Sequence, residues 1–219
     1  MRLGLFGGTF DPIHCGHLRS AEEVREAFAL DEVRFVPCGV PPHRSDRPGA
    51  AARHRLEMVR LAVAGNPGLS VSDLEVTRPG ASYSIDTVRH FSGRLAPGDE
   101  LYLILGLDAF LLIGSWKAWR ELLTLTHVIV TSRPGFGDTL PYDQIPVVVR
   151  EAFCYDSVRF GFRNESGKEI LFKRLTDVSV SASTIRELLG KGKSIRELVP
   201  SEVQRYVQDQ HLYYESPEC

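Results

Sequence analysis

The chain has 219 residues, of which 43% are hydrophobic and 25% charged, and its formal net charge is −2, so it can bury one sizeable core, or a core with a small appendage, and carries no general basic footprint for nucleic acid. Its four cysteines, Cys15, Cys38, Cys154 and Cys219, form no C-x-x-C pair, which suits reduced thiols in a cytoplasm rather than a disulfide framework. The most apolar run, Leu101 to Gly114, is too short to span a bilayer and holds Asp108, and the first apolar residues feed a glycine loop rather than a signal peptide, so no membrane partner is expected.

Residues 2–6 read as a buried strand running into Gly7 and Gly8, and Gly16-His17-Leu18 opens a helical pattern that continues through Leu30. Thr9, Asp11-Pro12 and two histidines at H-x-x-H spacing lie between them, so the strand delivers a loop to a helix N-terminus. Unpaired backbone N–H groups and the positive end of the helix dipole favour an anion there, and His14 and His17 add donors without a permanent charge. The segment is therefore predicted to be a phosphate site. His14, Cys15 and His17 are metal-ligating residue types, yet nothing nearby completes a tetrahedral set at a familiar spacing, and no metal ligand is assigned.

Val33–Val36 is predicted as a second strand, followed by the Pro41-Pro42-His43-Arg44 loop, a helix over 50–64, a strand at Leu69–Val71 and a helix over 84–92 whose cap lies in Ser82-Tyr83-Ser84. Leu101–Leu105 is a continuous apolar run, as a central parallel strand should be, with Gly106-Leu107-Asp108 at its carboxyl end. Trp116 and Trp119 follow a helix-like pattern typical of core. A strand at Val128–Thr131 ends in the loop Ser132-Arg133-Pro134-Gly135. Val158–Phe162 and Ile170–Leu175 flank a turn at 164–168 and read as a hairpin or two strands joined by that turn; the role of 136–176 stays open between a lid, a dimer contact and an edge of the sheet. Ser181 or Ser183 caps a helix carrying Arg186, a last helix runs from Ser201, its expected N-cap, to about Gln210, and 215–219 is expected to be a frayed tail.

The alternation predicts an α/β fold: a Rossmann-like, doubly wound, mostly parallel sheet with flanking helices and a small C-terminal helical portion. One domain is expected over 1–214, with a core at about 1–135, a variable strand segment at 136–176 and a helical part at 181–214. In such sheets ligands bind beyond the carboxyl ends of the strands, so the loops named above should converge on one cleft.

The stretch Gly7-Gly8-Thr9-Phe10-Asp11-Pro12-Ile13-His14-Cys15-Gly16-His17 resembles the signature of the nucleotidyltransferase superfamily whose H-x-G-H element is shared with class I aminoacyl-tRNA synthetases. Within it the chain is most similar to bacterial nicotinate mononucleotide adenylyltransferases, from the first strand to about Tyr214. The resemblance implies ATP and nicotinate mononucleotide as substrates, Mg²⁺ accompanying ATP, and an in-line transfer without a covalent enzyme intermediate, in which His14, His17 and Arg186 are catalytic. It implies ATP or phosphate contacts at Gly7, Gly8, Thr9, Phe10, His43, Arg44, Gly106, Asp108, Ser181 and Ser183, with Asp108 holding a ribose hydroxyl. The family's I-S-S-T-x-I-R pattern maps onto 180–186, where Ala182 replaces the second Ser and Ser183 the Thr. It further implies that Ser82, Tyr83 and Ser84 receive the nicotinate carboxylate, that Trp116 lies against the pyridine ring and that Arg133 stands near the bound nucleotides. Asp11 is expected to shape the loop. A phosphopantetheine or nicotinamide mononucleotide acceptor, or a catalytically silent nucleotide-sensing module, are the alternatives; a Rossmann dehydrogenase is disfavoured because the first loop lacks G-x-G-x-x-G.

Overall fold

The strands form where the apolar runs place them in the computed structural model, which describes residues 1–42, 49–132, 144–156, 161–176, 178 and 180–214. Strands β1 (Arg2–Gly8), β2 (Glu32–Pro37), β3 (Leu69–Val71), β4 (Glu100–Gly106), β5 (His127–Ser132), β6 (Cys154–Asp156), β7 (Gly161–Arg163) and β8 (Glu169–Arg174) form one sheet in the order β3-β2-β1-β4-β5-β8-β7-β6. The first six strands of that order run parallel; β7 and β6 are antiparallel additions at one edge. The crossovers reverse direction between β1 and β4, which places a topological switch point at their adjacent carboxyl ends, Gly8 and Gly106.

Side chains of the central strands alternate between two apolar layers, as a sheet covered on both faces requires. Tyr102, Ile104 and Ile129 pack with α1 (Cys15–Ala27) and α2 (Ala52–Val63), and with α8 (Ala182–Gly190) and α9 (Ser201–Asp209) from the end of the chain. Leu101, Leu103, Leu105, Val128 and Val130 face the opposite layer, built from α4 (Ser84–Ser92), α5 (Leu107–Leu111), α6 (Trp119–Leu125) and α7 (Val147–Ala152). Between β3 and α4 lies a single short helix, α3 (Leu74–Thr77).

Several boundaries differ from expectation for local reasons. α1 stops at Ala27 because Ala29 turns into the left-handed region at φ 47°. Pro200, not Ser201, is the N-cap of α9; its ring fixes φ and delivers Ser201 as the first helical residue, whose hydroxyl instead donates to Glu202. Trp116 is extended, just past a 3₁₀ turn at Ile113–Ser115, and Trp119 opens α6; both are half-buried. Residues 164–168 do form the expected turn, with Gly167 at φ 75° and Asn164 Oδ1 accepting from the Lys168 N–H at 2.8 Å, and the strands it joins lie at the edge of the main sheet. The predicted strand start at 158–160 and the tail 215–219 lie outside the described residues.

Candidate active site

The loop after β1 is anchored by one of its own side chains and by groups from elsewhere in the chain. Phe10 takes φ 50° and turns its ring inward, where it is 3% exposed and meets Phe35 at 5.4 Å, Phe6 at 5.9 Å and His17 at 5.1 Å between centroids. The left-handed backbone at Phe10 thus sends its ring into the core and leaves its main chain in the loop. Gly8 lies against that ring, whereas Gly7 is exposed at the strand end.

His14 is the N-cap of α1 and is buried; His17, one turn on, stacks on it at 3.7 Å between ring centroids. The His14 backbone N–H donates to His17 Nδ1 at 3.3 Å. An imidazole accepting at Nδ1 carries its proton on Nε2 when neutral, so His17 presents an N–H donor at the helix start. Burial pushes the Cys15 thiol up from its ordinary value, which keeps it protonated between the two histidines.

A second helix start is brought beside the first. Gly16 has no Cβ, and one placed there would stand 3.1 Å from Val180 Cγ1, so the glycine lets the chain entering α8 approach α1 closely. Ser181, rather than Ser183, is the N-cap, accepting from the Thr184 N–H at 3.1 Å, with Ser183 Oγ 2.9 Å away. His14, Gly16, His17, Ser20, Thr176, Val178 and Val180 enclose a hollow of about 90 Å³ between these helix starts. On the same helix, Arg186 does not stand alone in the cleft: its Nη1 donates to the Asp11 backbone carbonyl at 2.7 Å. Gly106 and Asp108 are exposed at the carboxyl end of β4 and the start of α5, across the switch point.

On the other side of the switch point, Pro42, Ser82, Tyr83, Ser84, Ile85, Ser115, Trp116 and Lys117 line a cavity of about 320 Å³. Four of the five residues expected to hold the pyridine nucleotide therefore share one cavity. Tyr83 is the N-cap of α4, so the N–H groups of Ser84 and Ile85 belong to its first turn. Ser82 is buried, and its Oγ accepts from Gly39 and Val40 N–H at 3.1 and 3.2 Å, tying the chain beyond β2 to the start of α4. The Lys117 ammonium lies 4.4 Å from the centroid of the Tyr83 ring and 3.3 Å from Asp86 Oδ2. His43, Arg44 and Arg133 lie outside the described residues. A larger cavity, about 770 Å³, opens between α6, α7 and the 164–166 turn and contains none of the expected site residues.

Three supporting groups escape a sequence reading. Arg55, 1% exposed, donates from Nη1 to the Thr9 carbonyl at 2.6 Å, from Nη2 to Gly39 at 3.2 Å and from Nε to Ala50 at 3.1 Å. Glu75 is buried with its carboxyl pushed up by desolvation, and accepts from the Thr87 hydroxyl at 2.5 Å. Tyr213, far along the chain, donates to Asp11 Oδ1 at 2.7 Å. One signal was available: Arg55 stands three and four residues before Met58 and Val59, on the apolar stripe of α2.

A parallel sheet with two helix starts, an H-x-G-H pair and an aromatic cavity around one switch point defines a nucleotidyltransferase. The cytidylyltransferase-like family matches residues 5–188. A relative from Desulfatibacillum aliphaticivorans, named "Probable nicotinate-nucleotide adenylyltransferase", is 44% identical over 97% of this chain and 100% of its own, and one of the same name from Geobacter metallireducens is 44% identical over 97% and 98%. This chain belongs to the nicotinate-nucleotide adenylyltransferases. The solved nicotinic acid mononucleotide adenylyltransferase of Plasmodium falciparum, complexed with NaAD, shares the fold at a TM-score of 0.71 and 18% identity, covering 97% of both chains.

Proposed function

We propose that this chain joins ATP and nicotinate mononucleotide to give nicotinate adenine dinucleotide and pyrophosphate, a step of NAD biosynthesis in the cytoplasm. The observation that carries the reading is the stacked His14–His17 pair at the start of α1, beside the start of α8, across the switch point from a cavity lined by Tyr83, Ser84 and Trp116. A 5′-phosphate oxygen of the mononucleotide attacks the α-phosphorus of ATP, the new P–O bond forms as the bond to the bridging oxygen breaks, and pyrophosphate leaves with the electron pair. No protein nucleophile is needed, so the protein acts by positioning and by stabilising charge on the phosphate oxygens. His17 Nε2, His14, Arg186 and the first-turn N–H groups of Gly16 in α1 and of Ala182 and Ser183 in α8 supply the donors; those of Cys15 and Thr184 already donate to the Leu198 carbonyl and Ser181 Oγ. Gly7, Gly8 and the backbone at Thr9 and Phe10 border the phosphates, with Ser181 and Ser183 at the start of α8, and Gly106 and Asp108 take the adenosine ribose. His43 and Arg44 act as further phosphate ligands, and Arg133 stands near the bound nucleotides.

The nicotinate carboxylate is received at the first turn of α4, and Trp116 packs on the pyridine ring. Lys117 is the one cation lining that cavity among the described residues and favours an anionic ring substituent. Bound to the triphosphate, Mg²⁺ would supply charge neutralisation there. Among the described residues no three His, Cys, Asp or Glu side chains cluster as a metal site would require, and the Asp11 carboxylate is already engaged by Gly49 N–H, Ala50 N–H and the Tyr213 hydroxyl.

The deciding experiment is pyrophosphate release with ATP and Mg²⁺ and, separately, nicotinate and nicotinamide mononucleotide. A kcat/KM strongly favouring the acid is expected. Comparable rates would keep the transfer chemistry and overturn the account of acceptor choice, and no release with either would overturn the reaction.

A further inference from the structure

We propose that Tyr213 is a positioning residue for adenylyl transfer, fixing Arg186 and the loop between β1 and α1 through Asp11; the inference rests on the functional reading above. Asp11 is 5% exposed, and three other segments of the chain meet on it. The Tyr213 hydroxyl donates to Oδ1 at 2.7 Å, the Ala50 N–H to Oδ1 at 3.0 Å and the Gly49 N–H to Oδ2 at 2.6 Å. Arg186 Nη1 stands 3.6 Å from Oδ2 while donating to the Asp11 backbone carbonyl at 2.7 Å. A Cβ at Gly49 would lie 3.3 Å from both Arg186 Cδ and the Tyr213 ring, so the arginine stem and the tyrosine ring are in close packing over the same glycine.

This arrangement has a chemical consequence. Three neutral donors hold the carboxylate in one orientation, and Arg186 sits just beyond hydrogen-bond distance of it, attracted but not captured. Arg186 uses one nitrogen on Asp11 among the described contacts, leaving guanidinium N–H groups for a phosphate. Burial and the adjoining carboxylate push the Tyr213 hydroxyl far above its ordinary value, so it remains a donor throughout the working range of pH. Without that hydroxyl, Oδ1 keeps only the Ala50 N–H, and the carboxylate is free to rotate into a bidentate pair with Arg186, drawing the guanidinium away from the triphosphate. Tyr213 lies 202 residues from Asp11, beyond α9, so the end of the chain closes the clasp.

The test is Tyr213→Phe, which keeps the ring on Gly49 and removes only the hydroxyl. The expected result is a kcat about ten-fold lower with a raised KM for ATP and an unchanged KM for nicotinate mononucleotide, in line with the cost of misplacing a catalytic group by a fraction of an ångström. Because the effect passes through Arg186, Tyr213→Phe should change kcat less than about two-fold in an Arg186→Lys background. Wild-type kinetics in Tyr213→Phe, equal changes in both KM values, or multiplying effects in the double variant would overturn the proposal. If Tyr213→Phe does not fold, Asp11→Asn is measured for the same ATP-selective pattern. Wild-type turnover of nicotinate mononucleotide tests the functional reading separately; in its absence, calorimetric affinity for a non-hydrolysable ATP analogue, expected to be weaker in Tyr213→Phe and equal if the clasp is wrong, tests Tyr213 alone.

Discussion

Replacing Arg55 with Met removes a guanidinium from the interior while keeping the length and most of the volume of its stem. Its three donors end on the carbonyls of Thr9, Gly39 and Ala50, one in the loop before α1, one beyond β2 and one just before α2. Hydrogen bonds from a charged donor contribute about 1.5–3 kcal/mol each, a gross loss of roughly 5–9 kcal/mol. Part is returned, because burial disfavours the charged guanidinium and lowers its pKa from the ordinary value, and methionine incurs no such cost. A net loss of about 3–4 kcal/mol is expected, a large share of the 5–15 kcal/mol typical of a folded domain. Urea unfolding followed by far-UV circular dichroism measures it as a lower midpoint at unchanged slope. The remaining folded enzyme should also lose kcat, since the Thr9 carbonyl anchors the loop leading to His14. A midpoint shift equivalent to less than about 1 kcal/mol would refute the reasoning, because it would mean that the three carbonyls are satisfied without the arginine.

His17→Ala should lower kcat/KM by about 10²–10³-fold, the usual effect of deleting one donor to developing charge, while the cooperative unfolding transition persists; near-normal turnover would end the phosphate-site argument. His127 lies at the amino end of β5, the opposite end of the parallel strands from the cleft, stacked on Tyr102 at 4.8 Å and flanked by Glu100, Glu169, Lys168 and Arg2, so His127→Gln should leave pyrophosphate release unchanged. Burial lowers the pKa of that histidine, so the unfolded chain takes up its proton first, and native stability falls as pH drops below about 6.5 towards the lower folded value; in His127→Gln that part of the stability–pH curve should flatten. Lys117→Met should reduce the preference for nicotinate over nicotinamide mononucleotide by about two- to five-fold, the range open to a half-exposed charge, and an unchanged ratio in competition assays would remove Lys117 from acceptor choice.

Where the chemistry depends on neighbours in sequence, it was legible in sequence. The strand-to-helix delivery of His14 and His17, a serine cap at 181 or 183, and the segment 82–84 at the start of α4 all follow from spacings within a turn or two, set by helix geometry and glycine conformation, though only the structure selects Ser181 as the cap. The parallel sheet was equally legible, because continuous apolar runs such as Leu101–Leu105 are stable only when covered on both faces. The inward turn of Phe10 was not, since a positive φ at a non-glycine residue is selected by the pocket that receives its ring.

What only the tertiary structure decided is how these pieces are held in register. No local pattern joins Asp11 to Tyr213, Arg55 to Thr9 and Gly39, or Gly16 to Val180, because each contact depends on the packing of elements far apart in the chain. The same holds for the segment 136–176, whose role the sequence left open between a lid, a dimer contact and an edge of the sheet: its described strands, with β6 (Cys154–Asp156) added to the expected pair, become the β8-β7-β6 edge once β8 finds β5. Sequence determined which groups are presented at strand ends and helix starts, since backbone geometry over a few residues dictates that. Burial and long-range hydrogen bonding decided which of them, such as Asp11 and Ser82, are occupied in holding the others in place.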